Sequence, residues 1–96
     1  MTRTEIIKIL KKYKKENAKK YGINSLGLFG SISRNEIKDE SDVDIIIETT
    51  EVDIFIMVHI KDDLEELLKK PVDLVRNRQG MNPYLKKHIE RDAIYV

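Results

Sequence analysis

Two short segments of this chain hold residue types suited to phosphate and metal chemistry. Leu28-Phe29-Gly30-Ser31 closes an apolar run on a glycine–serine turn, and Asp42-Val43-Asp44 begins eleven residues after the serine. A glycine lets the backbone approach a phosphate closely and take positive φ where needed. The serine adds a hydroxyl donor, and the free amides of a following helical turn attract anions. Two carboxylates separated by one strand residue, Asp42 and Asp44, point the same way at a spacing of roughly 6.6–6.8 Å. Each can then reach a divalent cation such as magnesium, which takes hard oxygen ligands, commonly one or two carboxylates plus substrate phosphates. A third acid, Asp73, interrupts the apolar run Pro71-Val72-Asp73-Leu74-Val75. Buried alone it would be costly, and metal coordination would supply the missing partner. With all three acids together, two ions roughly 3.5–4 Å apart become feasible. Arg34, one turn past Gly30, is placed to contact a phosphate or a ribose. Such a set suits in-line displacement at the phosphorus of a metal–nucleoside triphosphate, where positioning and charge neutralisation supply most of the acceleration.

Each segment taken alone has a plainer reading. Ser31 can cap a helix, Ser33 with Glu36 spells a capping box, and Asp-x-Asp is common in surface loops. His59, amid apolar residues of a long helical pattern, reads as a core or boundary imidazole, and His88, between Lys87 and Ile89 and close to Glu90, as an exposed one. Neither has a second histidine or thiol at metal-binding spacing. What raises the three segments above their parts is where they fall relative to the elements that must carry them.

The periodicity predicts a helix from Thr4 to Tyr21, with Ile6, Ile7, Leu10, Tyr13 and Tyr21 at mostly three- and four-residue steps and Gly22 as its stop. Ile23 to Phe29 reads as a strand, Ser31 to Ile37 as one or two helical turns, and Lys38 to Ser41 as a polar loop. Val43 to Glu48, with its Ile45-Ile46-Ile47 run, reads as a buried strand. After a connector from Thr49 to Val52, Asp53 caps a long helix to about Lys70, with Ile54, Phe55, Val58, Leu64, Leu67 and Leu68 expected on its buried side. Pro71 ends it. Val72 to Val75 is a third strand, Arg76 to Asn82 a loop, Pro83 to about Arg91 a last helix, and Ala93 to Val96 a short closing strand.

The expected fold class is therefore α/β (α+β), a small mixed sheet with flanking helices in the order α-β-α-β-α-β-α. Gly30 ends the first strand, whereas Asp42 and Asp44 begin the second. A shared site requires those two strands to be antiparallel. Asp73 also lies near the start of its strand, which makes the third strand parallel to the second, joined by a right-handed helical crossover.

Ninety-six residues suffice for one domain, residues 1–96, with a modest core. An apolar share of 41% against 36% charged residues fits a globular protein with a heavily solvated surface. The lack of cysteine excludes disulfides, thiolate metal sites and cysteine nucleophiles. The start of the chain lacks the apolar core of a signal peptide, and the longest apolar run, Ile54 to Val58, is too short to cross a membrane, so the expected location is cytoplasmic. Seven lysines between Lys8 and Lys20 read as a solvated helix face. No interleaving of aromatic and basic residues suggests nucleic-acid binding.

Phe29-Gly30-Ser31, Arg34, Ser41-Asp42-Val43-Asp44 and Val72-Asp73-Leu74-Val75 together resemble the minimal nucleotidyltransferases of the DNA polymerase beta superfamily, over nearly the whole chain. The resemblance implies that Gly30 and Ser31 engage a triphosphate and that Asp42 and Asp44 bind two magnesium ions. It implies that Asp73 helps bind metal and activate the acceptor hydroxyl. Small members of that superfamily resemble the antitoxin half of HEPN/MNT toxin–antitoxin modules, which transfer AMP from ATP to a tyrosine of a partner RNase toxin. This chain departs from their usual Gly-Ser-Arg-Ala-Arg-Gly wording, having Ile32 for the first arginine and Asn35 for the second glycine. So short a domain has little surface to enclose an acceptor, so a partner protein or a second copy should supply the other wall. Two other functions fit the residues less well: an antitoxin that only covers its toxin, and transfer to a small molecule.

Overall fold

The computed structural model describes residues 1–36 and 42–96, so the expected loop from Lys38 to Ser41 and the end of the expected helical turns at Ile37 lie outside the described residues. The elements are α1 (Arg3–Tyr21), β1 (Ile23–Phe29), α2 (Gly30–Ser33), β2 (Val43–Thr49), α3 (Ile54–Leu68), β3 (Val72–Arg76), α4 (Pro83–Asp92) and β4 (Ile94–Tyr95). The strands form one mixed sheet in the order β3-β2-β1-β4. β1 is antiparallel to β2 and to β4, and β2 is parallel to β3. The orientation inferred from the motif positions is the one observed.

Local signals explain the boundaries. Thr2 and Glu5 form a capping box at the start of α1, and Gly22 at φ 65° closes the helix by donating its N–H to Ala18. The Asp53 carboxylate accepts the N–H groups of Phe55 and Ile56 at the head of α3, and Asn82 does the same for Tyr84 and Leu85 at α4. The start of β3 is pinned by Glu65, whose carboxylate accepts the Val72 N–H at 2.8 Å.

Alternation along the strands divides the core. Leu26, Leu28, Val43, Ile45, Ile47 and Val72 pack on one face against α1 and α3. Phe29, Ile46 and Val75 point to the other face, where Ile89 and Leu85 of α4 cover them. Tyr13 fastens α1 to α3 by donating its hydroxyl to the Asp63 carboxylate at 2.8 Å. Of the seven lysines, six are exposed as expected, while Lys14 is part-covered and donates to the Val96 carbonyl.

Three expectations need correction. The buried stripe of α3 is Ile60, Leu64 and Leu68, with Ile56 and Met57 beside it. Ile54, Phe55, Val58 and Leu67 are exposed instead, Phe55 by 75%. At about 100° per residue, Phe55 and Val58 fall on the side opposite the stripe, and Ile54 and Leu67 flank it. His59 lies on that outer side too and is exposed, not a core imidazole. The turn after β1 is shorter than read: α2 stops at Ser33, and Asn35 at φ 63° takes the left-handed conformation that ends it. Among the described residues no helix is long and apolar enough to cross a membrane.

Candidate active site

The last residue of β1 and the first residues of β2 and β3 meet at one margin of the sheet. Phe29 pairs with Asp44, and Asp44 pairs with Asp73 on its other side. In-register neighbours in a sheet point to the same face, and Asp44 alternates with Ile45 onto the face that carries α4. Asp42 precedes β2 by one position and shares that parity. The register therefore brings Asp44 and Asp73 side by side, with Asp42 next in line.

The glycine at the end of β1 has a specific steric reason. Gly30 sits at φ 75°, and a Cβ built there would overlap Asp44 Oδ2 and lie 3.0 Å from its Cγ. Only a residue without a side chain lets the carboxylate rest against that turn. The turn then closes on itself. Ser33, buried, donates its hydroxyl to the Gly30 carbonyl at 2.7 Å, and the Arg34 N–H reaches the same oxygen at 3.4 Å. Ser33 is thus the last residue of α2 and does not cap, so the Ser33–Glu36 capping box is not formed. Ser31 follows Gly30 in the first turn and is half-buried, with Phe29 at the N-cap, so Ser31 is not a helix cap either. Ile32 is fully buried in the main core.

Electrostatics mark Asp44. Burial pushes its carboxyl above the usual carboxylate range, and the charges of Asp73 and Asp42 push the same way, against an opposing pull from Arg34. Asp42 and Asp73 are exposed. Asp73 is therefore not buried inside its apolar run, and the cost of a buried acid without a partner does not arise. β3 buries only Val72, and Asp73 is open to solvent.

Among the described residues, no three acidic or imidazole groups converge into a ready-made cage for an ion. Magnesium held by one or two carboxylates and completed by substrate phosphate needs no such cage. The hard oxygens of Asp42 and Asp44, the neighbouring charge of Asp73 and the side-chain-free cradle at Gly30 fit that mode of binding.

Arg34 lies beside these acids with its guanidinium already engaged. Nη1 donates to Asp92 Oδ2 at 2.6 Å, and Nη2 reaches Glu36 at 3.4 Å. Asp92, at the end of α4, is the group at this margin that sequence reasoning passed over. Fifty-eight positions separate it from Arg34, so no local spacing joins them. His88 is exposed as expected, contacting Arg91 and stacking on Tyr84.

Known proteins resemble this chain in sequence and in fold. The family described as "Polymerase beta, Nucleotidyltransferase" matches residues 4–96. A Methanocaldococcus jannaschii protein, provisionally named a protein adenylyltransferase, is 42% identical over 99% of this chain and 98% of its own. Protein adenylyltransferase MntA of Thermococcus cleftensis is 35% identical over 100% of this chain and 97% of its own. A solved structure described as a provisional minimal nucleotidyltransferase superposes with a TM-score of 0.78 at 27% identity, covering 98% of this chain and 95% of that one. A chain from the complex of tri-AMPylated Shewanella oneidensis HEPN toxin with MNT antitoxin shares the fold, with a TM-score of 0.60 at 22% identity over 97% of this chain and 66% of that one. With the family match running almost end to end and these relatives aligned along the full length, the chain belongs to the polymerase beta nucleotidyltransferase family.

Proposed function

We propose that residues 1–96 act as one magnesium-dependent protein adenylyltransferase domain, transferring AMP from ATP to a tyrosine hydroxyl of a cognate HEPN-type RNase toxin and so silencing it in the cytoplasm. The observation that carries this reading is the registered pair Asp44 and Asp73 beside the Gly30 cradle. Gly30 and Ser31 bind the triphosphate through the turn's amides and the serine hydroxyl. Asp42, Asp44 and Asp73 hold the magnesium ions, which when bound neutralise charge on the phosphates. The acceptor oxygen attacks the α-phosphorus in line, the bond to the bridging oxygen breaks, and diphosphate leaves with that electron pair. The hydroxyl proton passes to a carboxylate, for which Asp73, the more open of the registered pair, is the best placed.

The open margin of the sheet suits an acceptor delivered by another protein. A toxin is the favoured partner because the adenylyltransferase relatives align over the whole chain and an MNT antitoxin complex shares its fold. A role by binding alone would draw on the departures from the motif at Ile32 and Asn35, yet both have structural reasons: Ile32 fills the core, and Asn35 adopts left-handed backbone. Incubation with α-labelled ATP, magnesium and a cognate HEPN-type toxin tests the proposal. Label should appear on a toxin tyrosine, and Asp44→Asn should abolish it. An unlabelled toxin, still neutralised by the double variant Asp42→Asn with Asp44→Asn, would replace catalysis with simple binding.

A further inference from the structure

Asp92 lies at the junction of three fixed elements. Ala93 closes α4 by donating its N–H to Ile89, and the next residue, Ile94, pairs with Leu28 in β1, two positions before Gly30. The Asp92 carboxylate is thereby tied through the sheet to the turn that ends β1. Its side chain is only 5% exposed, although both of its partners are open to solvent. Arg91 grips it side-on, with Nε to Oδ1 at 2.9 Å and Nη2 to Oδ2 at 3.0 Å, and Arg34 shares Oδ2 from the other side. One covered carboxylate thus holds two guanidinium groups.

We propose that Asp92 is a positioning residue for the transfer reaction: clasped by Arg34 and Arg91, it fixes the Arg34 guanidinium beside the Gly30–Ser31 turn, where its remaining N–H donors meet the triphosphate. This rests on the nucleotide reading above. A guanidinium carries five donors in a rigid fork, so the bonds to Asp92 and Glu36 leave others to face a phosphate. The pair with Glu36 is long and exposed and fixes little. The pair with Asp92 is short and covered, and preorganised cations act more strongly on a developing phosphate charge than mobile ones. Hydrogen bonds from Arg91, and then from Arg34, hold the Asp92 carboxyl down at about 2, so the clasp stays charged throughout the neutral range.

The test measures binding of a non-hydrolysable ATP analogue and the kinetics of transfer to the toxin for the full chain, for Arg34→Gln, Asp92→Asn, Asp92→Glu and the double variant Arg34→Gln with Asp92→Asn. Each of the first two should weaken analogue binding about tenfold, the scale of one charge-assisted hydrogen bond. The double variant should be no weaker than either single one. Asp92→Glu should restore most of the affinity, and KM for ATP should rise more than kcat falls. Full additivity, or Asp92→Asn binding the analogue like wild type while Arg34→Gln does not, would overturn the positioning role and leave the nucleotide reading standing. If the wild-type chain binds no analogue with magnesium, both fall together. Asp92→Asn that loses affinity only in proportion to lost folded fraction, with no rescue by glutamate, also overturns it.

Discussion

Gly30 and Asp44 occupy space that cannot be shared with a side chain. The glycine stands at φ 75°, and the first carbon of any other residue would run into the Asp44 carboxylate. Gly30→Ala therefore combines left-handed backbone strain with a steric conflict against the acid at the centre of the site. Unfolding in urea should show a loss of about 1–3 kcal/mol. Displacing the turn or the carboxylate by an ångström should lower transfer at least about a hundredfold. A variant with wild-type stability and transfer would show that the turn does not constrain Asp44.

Asp44 gives a second prediction, through the direction of its proton equilibrium. Burial and the charges of Asp73 and Asp42 raise its folded value above the unfolded one, which is about 3.9. Such a group favours folding most when protonated, below the unfolded value. That contribution is lost as pH rises through the folded value. At neutral pH the ionised carboxylate therefore opposes folding, and Asp44→Asn should raise the melting temperature of the magnesium-free protein. The gain should vanish near pH 3, where both forms are neutral. Magnesium should stabilise the wild type more than the variant. Melting curves with magnesium or with EDTA at both pH values check each part, and an Asp44→Asn protein less stable at pH 7 would contradict it.

The strand orientations could be read from the chain because the chemistry constrained them. Gly30 after one strand and Asp42, Asp44 and Asp73 at the starts of two others can share a margin only in one arrangement, and the observed pairing is that arrangement. The face of α3 could not be read the same way. Its first third, Ile54-Phe55-Ile56-Met57-Val58, is apolar on every side, so periodicity offers no stripe to choose until the sheet selects Ile60, Leu64 and Leu68. Asp73 stays exposed although apolar residues flank it, because Val72 and Leu74 face the opposite way along the strand. Asp92 was missed because its partner is distant in sequence and adjacent only through the pairing of β4 with β1.

The departures at Ile32 and Asn35 lead to a third prediction. Ile32 is fully buried among Leu28 and other residues of the main core, so an arginine there would have to carry its charge into that core or leave it. Ile32→Arg should cost about 3–5 kcal/mol, the penalty of an unpaired buried charge, and should not raise the rate of transfer. Asn35 holds φ 63°, which glycine adopts freely and asparagine tolerates. Asn35→Gly should stay within about 0.5 kcal/mol of wild type, whereas Asn35→Val should lose about 1–2 kcal/mol. Urea midpoints order the three variants. A stable and faster Ile32→Arg would mean that position 32 faces the phosphates.

The outward side of α3 supplies the last prediction. Phe55 is 75% exposed and Val58 52%, and both lie away from the stripe formed by Ile60, Leu64 and Leu68. Exposed positions outside caps and cores rarely change stability by more than about 0.5 kcal/mol. Phe55→Ser and Val58→Ser should therefore leave the urea midpoint almost unmoved. Leu64→Ala, with a fully buried side chain, should cost about 2–5 kcal/mol through lost burial and the cavity left behind. The contrast decides which face of α3 meets the sheet, because both sets of residues are equally apolar and only burial separates them. If Phe55→Ser proved as damaging as Leu64→Ala, the helix would have to be rotated by about half a turn from the stripe described, moving Ile60 and Leu64 out of the core.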